Sequence, residues 1–165
     1  MTTSPFLGEL IGTAVLVLLG NGVVANVLLN KTKGNNGGLI AITTGWAFAV
    51  TIGIFIAQKF GSADAHLNPA VTIAMAIKSN DFSNVLPFIA AQMIGAILGA
   101  TLVWLHHLPH WGATNDQGLK LAAFSTSPAI ANAPANLISE IIGTMVLLIG
   151  VIALYAEAGS GLSHY

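Results

Sequence analysis

Asn68 and Pro69, at the start of a short apolar segment, have the types and order of a helix cap that could also bind a solute. As the N-cap, Asn68 would accept a backbone hydrogen bond through its side-chain oxygen, and Pro69 would fit the first helical position. The amide N–H₂ of Asn68 would then remain available to donate to water or a solute hydroxyl. The helix N-terminus carries about half a positive charge, which would repel cations. The plainer alternative is helix capping without a pore.

A carboxylate within an apolar span and a histidine cluster are further candidates for chemistry. Glu9 lies in an otherwise apolar stretch, where a carboxylate is costly enough to mark a functional site. The alternative is a position near the membrane interface, where the helix dipole would hold it. The spacing of His106 and His110 would suit a metal ion, but the tryptophans beside them favour a polar and aromatic belt at the interface. We therefore predict no metal and no cofactor.

These residues belong to a chain with the composition of a membrane protein. Of its 165 residues, 55% are hydrophobic and 7% are charged, whereas a soluble domain carries about 25% charged residues. The mean hydropathy of +0.80 agrees. A net charge of −1 gives no electrostatic reason to expect a nucleic-acid partner. The absence of cysteine from the sequence excludes disulfides and thiolate sites.

Four segments are long and apolar enough to cross a bilayer, which takes about 20 residues. They are residues 6–29, 39–57, 85–105 and 137–156. Gly8-x-x-x-Gly12 and Gly95-x-x-x-Gly99 would allow close helix crossing. We interpret residues 132–135, Asn-Ala-Pro-Ala, as a loop that leads into the fourth span.

Residues 68–77 are apolar and helical in character but are too short to cross a bilayer. Ten residues would cover about 15 Å, which is half of the hydrocarbon thickness. We favour a re-entrant half-helix, because full spans flank the segment and it has little polar face. The alternative is a surface amphipathic helix or a soluble core helix. The sequence thus predicts an all-α membrane bundle with four spanning helices and one re-entrant half-helix.

A near-repeat relates the first and the fourth span. Residues 9–13 read Glu-Leu-Ile-Gly-Thr, and residues 140–144, 131 positions later, read Glu-Ile-Ile-Gly-Thr. Because three spans fall in the first copy, the two copies would be inverted. A second Asn-Pro-Ala, 131 positions after Asn68, would fall near position 199, beyond Tyr165. We therefore expect the second inverted repeat to be incomplete.

Residues 66–72, His-Leu-Asn-Pro-Ala-Val-Thr, resemble the first Asn-Pro-Ala motif of the major intrinsic protein (aquaporin) family. The two Glu-x-x-Gly-Thr stretches and Gln-x-x-Gly-Ala at 92–96 resemble motifs of its first, fourth and third helices. Trp46 and residues 124–128 resemble features of the glycerol uptake facilitator branch. The sequence departs from the usual pattern at residues 62–65, Ser-Ala-Asp-Ala, just before the motif. The resemblance covers nearly all of this chain but only about two-thirds of a typical member.

The resemblance implies a role for each matching residue. The residues implied to line a pore are Trp46, Ala65, His66, Leu67, Asn68, Pro69 and Ala70. Carbonyl groups of residues 65–67 would form a ladder of acceptors, His66 would line or brace the pore, and Trp46 would give an apolar wall or face lipid or core. Glu9 would brace the re-entrant loop. Glu140 would do the same for a second loop that this chain lacks.

The resemblance further implies a passive channel for glycerol and other small neutral solutes, with water, in a bacterial plasma membrane. It implies a homotetramer with one pore per subunit. Residues 1–115 would be the first repeat, and residues 116–165 a loop and the first helix of the second. The family's glycerol filter needs an arginine from the second half, and all five basic residues here are lysines. We therefore expect a C-terminally truncated chain that does not make a selective pore alone.

Two other functions stay open at this point. One is a four-span membrane subunit that does not conduct. The other is a secondary transporter built on an inverted repeat, although this would need charged coupling residues in mid-span. Nothing in the sequence resembles a nucleophile–base pair or a phosphate-binding loop, so we predict that the protein is not an enzyme.

Overall fold

The computed structural model describes residues 3–160, and every regular element in that range is an α-helix. In chain order the helices are α1 (Pro5–Leu28), α2 (Gly38–Lys59), α3 (Pro69–Ser79), α4 (Val85–His106), α5 (Leu108–Ala113), α6 (Gln117–Ala122) and α7 (Ala133–Ser160). α1, α2, α4 and α7 are each long and apolar enough to cross a membrane, and α3 is a shorter apolar helix. The predicted all-α bundle of four spans and one short helix is confirmed.

Helix α1 packs against both α2 and α4, and small residues let the three helices approach closely. A Cβ atom added at Gly12 would lie 2.7 Å from the Cβ of Ala57 in α2. A Cβ atom added at Gly95 in α4 would collide with the Leu10 carbonyl oxygen. This close packing leaves Glu9 of α1 and Gln92 of α4 buried among the helices.

Helix α3 is short because its ends are set by local signals. Asn68 caps the N-terminus in extended backbone, and Pro69 follows in the first turn. Asn80 ends the helix in the left-handed conformation, with a φ of 54°. The 11 residues span about 16 Å, which is half the thickness of a bilayer core. The helix contacts α4 and α7.

The region between α4 and α7 contains more structure than the sequence predicted. Two helices of six residues each, α5 and α6, lie between α4 and α7, where no helix is predicted. Helix α7 begins at Ala133, so the interpretation of residues 132–135 as loop is wrong. The side-chain oxygen of Asn132 accepts from the Ala135 amide at 3.2 Å, which caps the helix one turn before the predicted start.

Helix α5 is tied to the end of α1 by polar contacts of Asn30. The Asn30 amide donates to the Thr114 hydroxyl at 2.9 Å, and the Asn30 side chain donates to the Ala113 carbonyl at 3.2 Å. A small buried cluster of Ala25, Leu29, Val103 and Ala123 lies beneath this junction. In contrast, none of the described side chains of α7, from Ala133 to Tyr155, is buried, so its apolar side chains are available to lipid or to further helices.

Candidate functional site

Glu9 is fully buried, and its carboxylate accepts four hydrogen bonds. Oε1 accepts from the Ser62 hydroxyl at 2.6 Å and from the His66 amide at 2.8 Å. Oε2 accepts from the Leu67 amide at 2.7 Å and from the Gln92 side chain at 2.9 Å. A buried carboxylate is tolerated only when such bonds replace its water. All four donors are neutral, so dipoles alone compensate the buried oxygens.

The segment 61–67, here called the re-entrant loop, has an unusual backbone that these bonds hold in place. Ala65 and Leu67 have φ values of +45° and +51°, which are left-handed for residues other than glycine. Such a conformation costs about 1–3 kcal/mol and persists only where the surroundings impose it. The Ser62 hydroxyl accepts from the Ala65 amide at 3.2 Å, and Glu9 accepts from the next two amides. Three successive N–H groups are thus held on the α1 side.

Asn68 follows the re-entrant loop and caps α3. Its Oδ1 accepts from the Ala70 amide at 2.8 Å, and its carbonyl accepts from the Thr72 amide at 3.0 Å. Among the described groups, which include side chains only as far as Tyr155, no acceptor is within hydrogen-bond distance of the Asn68 side-chain nitrogen, and no donor reaches the carbonyl oxygens of residues 65–67. These groups can therefore bond to a molecule beside them.

A cavity of about 510 Å³ lies beside the re-entrant loop. Its wall comes from α1, α2, α3, α7 and the loop, through Leu16, Trp46, Val50, Ile54, Gln58, Asp64, Ala65, His66, Leu67, Asn68, Val71, Leu147, Val151, Leu154 and Tyr155. Five of the seven residues implied to line a pore belong to this wall: Trp46, Ala65, His66, Leu67 and Asn68. Pro69 and Ala70 lie in the first turn of α3 and are not part of it.

The comparison with known protein families agrees with this geometry. The sequence model described as Major intrinsic protein matches residues 2–164. This chain belongs to the major intrinsic protein family. The resemblance first drawn from short motifs therefore extends over almost the whole sequence.

Several proteins with curated names are similar to this family member. It is 53% identical over 148 residues to the glycerol uptake facilitator protein of Streptococcus pneumoniae (strain ATCC BAA-255 / R6). The aligned region covers 89% of this chain and 62% of that protein. It is 51% identical to glycerol uptake facilitator protein 3 of Lactiplantibacillus plantarum, over 89% of this chain and 61% of that protein. It is 50% identical to the probable glycerol uptake facilitator protein of Thermotoga maritima, over 93% and 65%.

This chain therefore spans less than two-thirds of the length of each of these three relatives. No solved structure gives a significant match to it.

Trp46, implied to line a pore, and Glu140, implied to brace a loop, have different surroundings in this major intrinsic protein. Trp46 packs against α1, where a Cβ atom added at Gly20 would lie 2.5 Å from the indole ring. Glu140 is exposed on α7, and none of the described residues donates a hydrogen bond to its side chain. The structure therefore places Glu9 and Trp46 around the re-entrant loop and cavity, and Glu140 outside both.

Ser62, Thr72 and Gln92 belong to the site although sequence reasoning gave them no role. The Gln92 side chain donates to Glu9 and also to the Thr72 hydroxyl at 2.9 Å. The same hydroxyl lies 3.2 Å from Nδ1 of His66 and donates to the Asn68 carbonyl at 3.2 Å. A hydroxyl has one proton, so His66 Nδ1 is the donor in that pair. The sequence does contain a signal for Gln92, since a polar residue within an apolar span needs a buried hydrogen-bond partner.

The histidines near the end of α4 bond to backbone carbonyls. Nδ1 of His107 lies 3.0 Å from the Val103 carbonyl oxygen, and Nδ1 of His110 lies 3.0 Å from that of Asn30. The indole of Trp111 donates to the Trp104 carbonyl at 2.9 Å. This cluster holds α5 against the ends of α1 and α4.

Proposed function

We propose that this chain forms a wall of a passive channel for glycerol and other small neutral solutes, with water. The observation that carries the proposal is the two-sided lining of the cavity. One side is apolar, with Trp46, Val50 and Ile54 of α2 and Val151 of α7. The other side is the re-entrant loop with its unbonded carbonyls and the Asn68 amide. A polyol has the same two faces, carbon on one and hydroxyls on the other.

The electrostatics of the site support neutral solutes over cations. Asn68 marks the N-terminus of α3, where the helix dipole places about half a positive charge. That charge opposes cations beside Asn68, while hydroxyl groups of a solute find donors and acceptors there. The names of the similar proteins, glycerol uptake facilitators, support glycerol as the solute.

Under this proposal Glu9 braces the re-entrant loop of a first repeat that comprises residues 1–115. Residues 116–165 contribute a loop and the first helix of a second repeat, in which Glu140 has the corresponding role. The exposed apolar surface of α7 supports this assignment, because residues Ala133–Tyr155 have the composition of a membrane span and none of them is buried. We further propose a homotetramer in a bacterial plasma membrane, with one path in each subunit.

The test is glycerol flux through a chimera in which this chain replaces the matched part of the Streptococcus pneumoniae relative. Shrinkage and reswelling of proteoliposomes in a glycerol gradient, followed by light scattering, report the flux. We expect permeability above that of protein-free liposomes for the chimera, and no increase for the 165-residue chain alone. A monodisperse, membrane-inserted chimera with only the lipid background would contradict the proposal and favour a subunit that does not conduct.

A further inference from the structure

Three polar side chains, Gln58, Asp64 and Tyr155, gather at one end of the cavity and are here called the polar mouth. Gln58 ends a row of α2 residues that line the cavity at every fourth position, starting from Trp46. The Gln58 side chain donates to the Ala63 carbonyl at 3.4 Å, which places it beside the re-entrant loop. Trp46, at the other end of this row, lies about 18 Å from Gln58, because an α-helix rises about 1.5 Å per residue. The polar mouth is thus one end of a long cavity.

Helix α7 closes the polar mouth with a single face. The four residues Leu147, Val151, Leu154 and Tyr155 have the spacing of one helical stripe, and all four line the cavity. Tyr155 is the polar member of this stripe and is half-buried. Its hydroxyl donates to the Asp64 carbonyl oxygen. Among the side chains that the structure describes, which on α7 end at Tyr155, this is the hydrogen bond that joins α7 to the re-entrant loop.

The re-entrant loop is consequently held from two directions. From the α1 side, Glu9 accepts from the amides of His66 and Leu67. From the α7 side, Tyr155 donates to the carbonyl of Asp64, two residues before His66. Asp64 and His66 also line a second cavity of about 250 Å³, so this stretch of backbone separates two spaces. A shift of the Asp64 carbonyl away from α7 would widen the mouth of the larger cavity.

We propose that Tyr155 is a positioning residue that ties α7 to the re-entrant loop and thereby sets the width of the polar mouth. The mouth then excludes molecules by size before they reach Asn68. This inference rests on the proposed function in one respect, namely that the cavity is the path of the solute. The link between α7 and the loop is itself independent of transport.

The test measures how fast a thiol inside the cavity is modified. The sequence has no cysteine, so Ile54→Cys, one turn inside Gln58, supplies a single thiol. The full chain is labelled in lipid nanodiscs with a small methanethiosulfonate reagent and, separately, with a bulky fluorescein maleimide. Rates are compared between native Tyr155 and Tyr155→Phe, which removes only the hydroxyl. Met145→Leu, on an exposed part of α7 that does not line the cavity, is the matched control.

We expect Tyr155→Phe to speed labelling by the bulky reagent about tenfold, which corresponds to the loss of a hydrogen bond of about 1.4 kcal/mol. The small reagent should react at the native rate, and Met145→Leu should change neither rate. An unchanged bulky rate would overturn the proposal. Equal acceleration of both reagents would also overturn it, because that result indicates general loosening. The expected labelling combined with no glycerol flux in the chimera would overturn the proposed function and support the polar mouth.

Discussion

Oε2 of Glu9 lies 2.7 Å from the backbone nitrogen of Leu67, a residue 58 positions later in the chain. This bond joins the first helix to backbone that is left-handed at Leu67. It belongs to a set of four that use both carboxylate oxygens twice. The shape of the re-entrant loop therefore depends on a side chain in another helix.

Glu9→Gln should destabilise the fold. It replaces one carboxylate oxygen, which accepts two hydrogen bonds, with an amide nitrogen that cannot accept any, so two donors lose their acceptor. Two buried donors without acceptors cost about 2–5 kcal/mol. The readout is the apparent Tm in detergent. Glu140→Gln is the matched control, and since Glu140 is exposed we expect a change within about 0.5 kcal/mol. Equal Tm values for the two variants would show that Glu9 does not hold the loop.

Gly95→Ala should separate α1 from α4, because the added methyl group collides with the Leu10 carbonyl oxygen. Overpacking of this kind costs about 1–3 kcal/mol. Gly143→Ala on α7 meets no atom within 4 Å and should stabilise its helix by about 0.5–1 kcal/mol. Thermal denaturation of both variants tests whether the two substitutions change stability in opposite directions. A stabilising Gly95→Ala would contradict the close crossing of α1 and α4.

Asn68→Asp should separate helix capping from solute binding. The carboxylate keeps the acceptor that Ala70 needs, so the apparent Tm should stay close to the native value. It removes the N–H₂ donor and adds a negative charge at the N-terminus of α3. We expect lower glycerol flux and higher sodium permeability in the chimera. If both fluxes matched those of native Asn68, this residue would have no contact with the solute.

Acidification should loosen the junction of α4 and α5 through His107, which lies just beyond the α4 span. Burial lowers the pKa of His107 below its ordinary 6.5, His106 and His110 lower it further, and the Val103 carbonyl opposes them. Because the pKa of His107 is lower in the folded protein than in the unfolded chain, its contribution to stability is fully present above pH 6.5. That contribution declines as the pH falls toward the pKa of the folded state.

Hydrogen exchange of residues 108–113, corrected for its intrinsic pH dependence, should therefore speed up as the pH falls below 6.5. His107→Gln keeps a polar side chain without this titration and should remove the pH dependence. A native protein with flat, corrected exchange rates between pH 7.5 and 5.5 would contradict the account of His107.

The spans and the α3 cap were predictable because their signals are local. Twenty apolar residues indicate a span wherever they occur, and Asn-Pro at a helix start has a fixed meaning. The partners of Glu9 were not predictable in this way. Ser62 and Gln92 lie 53 and 83 positions from Glu9, and the packing of α1 against both α2 and α4 brings them together. The link between Tyr155 and Asp64, 91 positions apart, depends on tertiary structure in the same way.

The errors near α7 have a different cause. α5 and α6 have six residues each, which is too short for an apolar period to stand out. Residues 132–135 favour a loop because, unlike at Asn68-Pro69, one residue separates Asn132 from Pro134. The structure shows that the cap tolerates this spacing, since Asn132 still accepts from the Ala135 amide.

The measurement that tests the central claim most directly is glycerol permeability of the chimera with its cavity filled. Val50 lines the cavity, and Val50→Trp should reduce glycerol flux to the lipid background. Val146 is exposed on α7 outside the cavity wall, so Val146→Trp adds the same bulk elsewhere and should conduct like the native sequence. Native flux in a folded Val50→Trp variant would contradict the claim that solutes pass through this cavity.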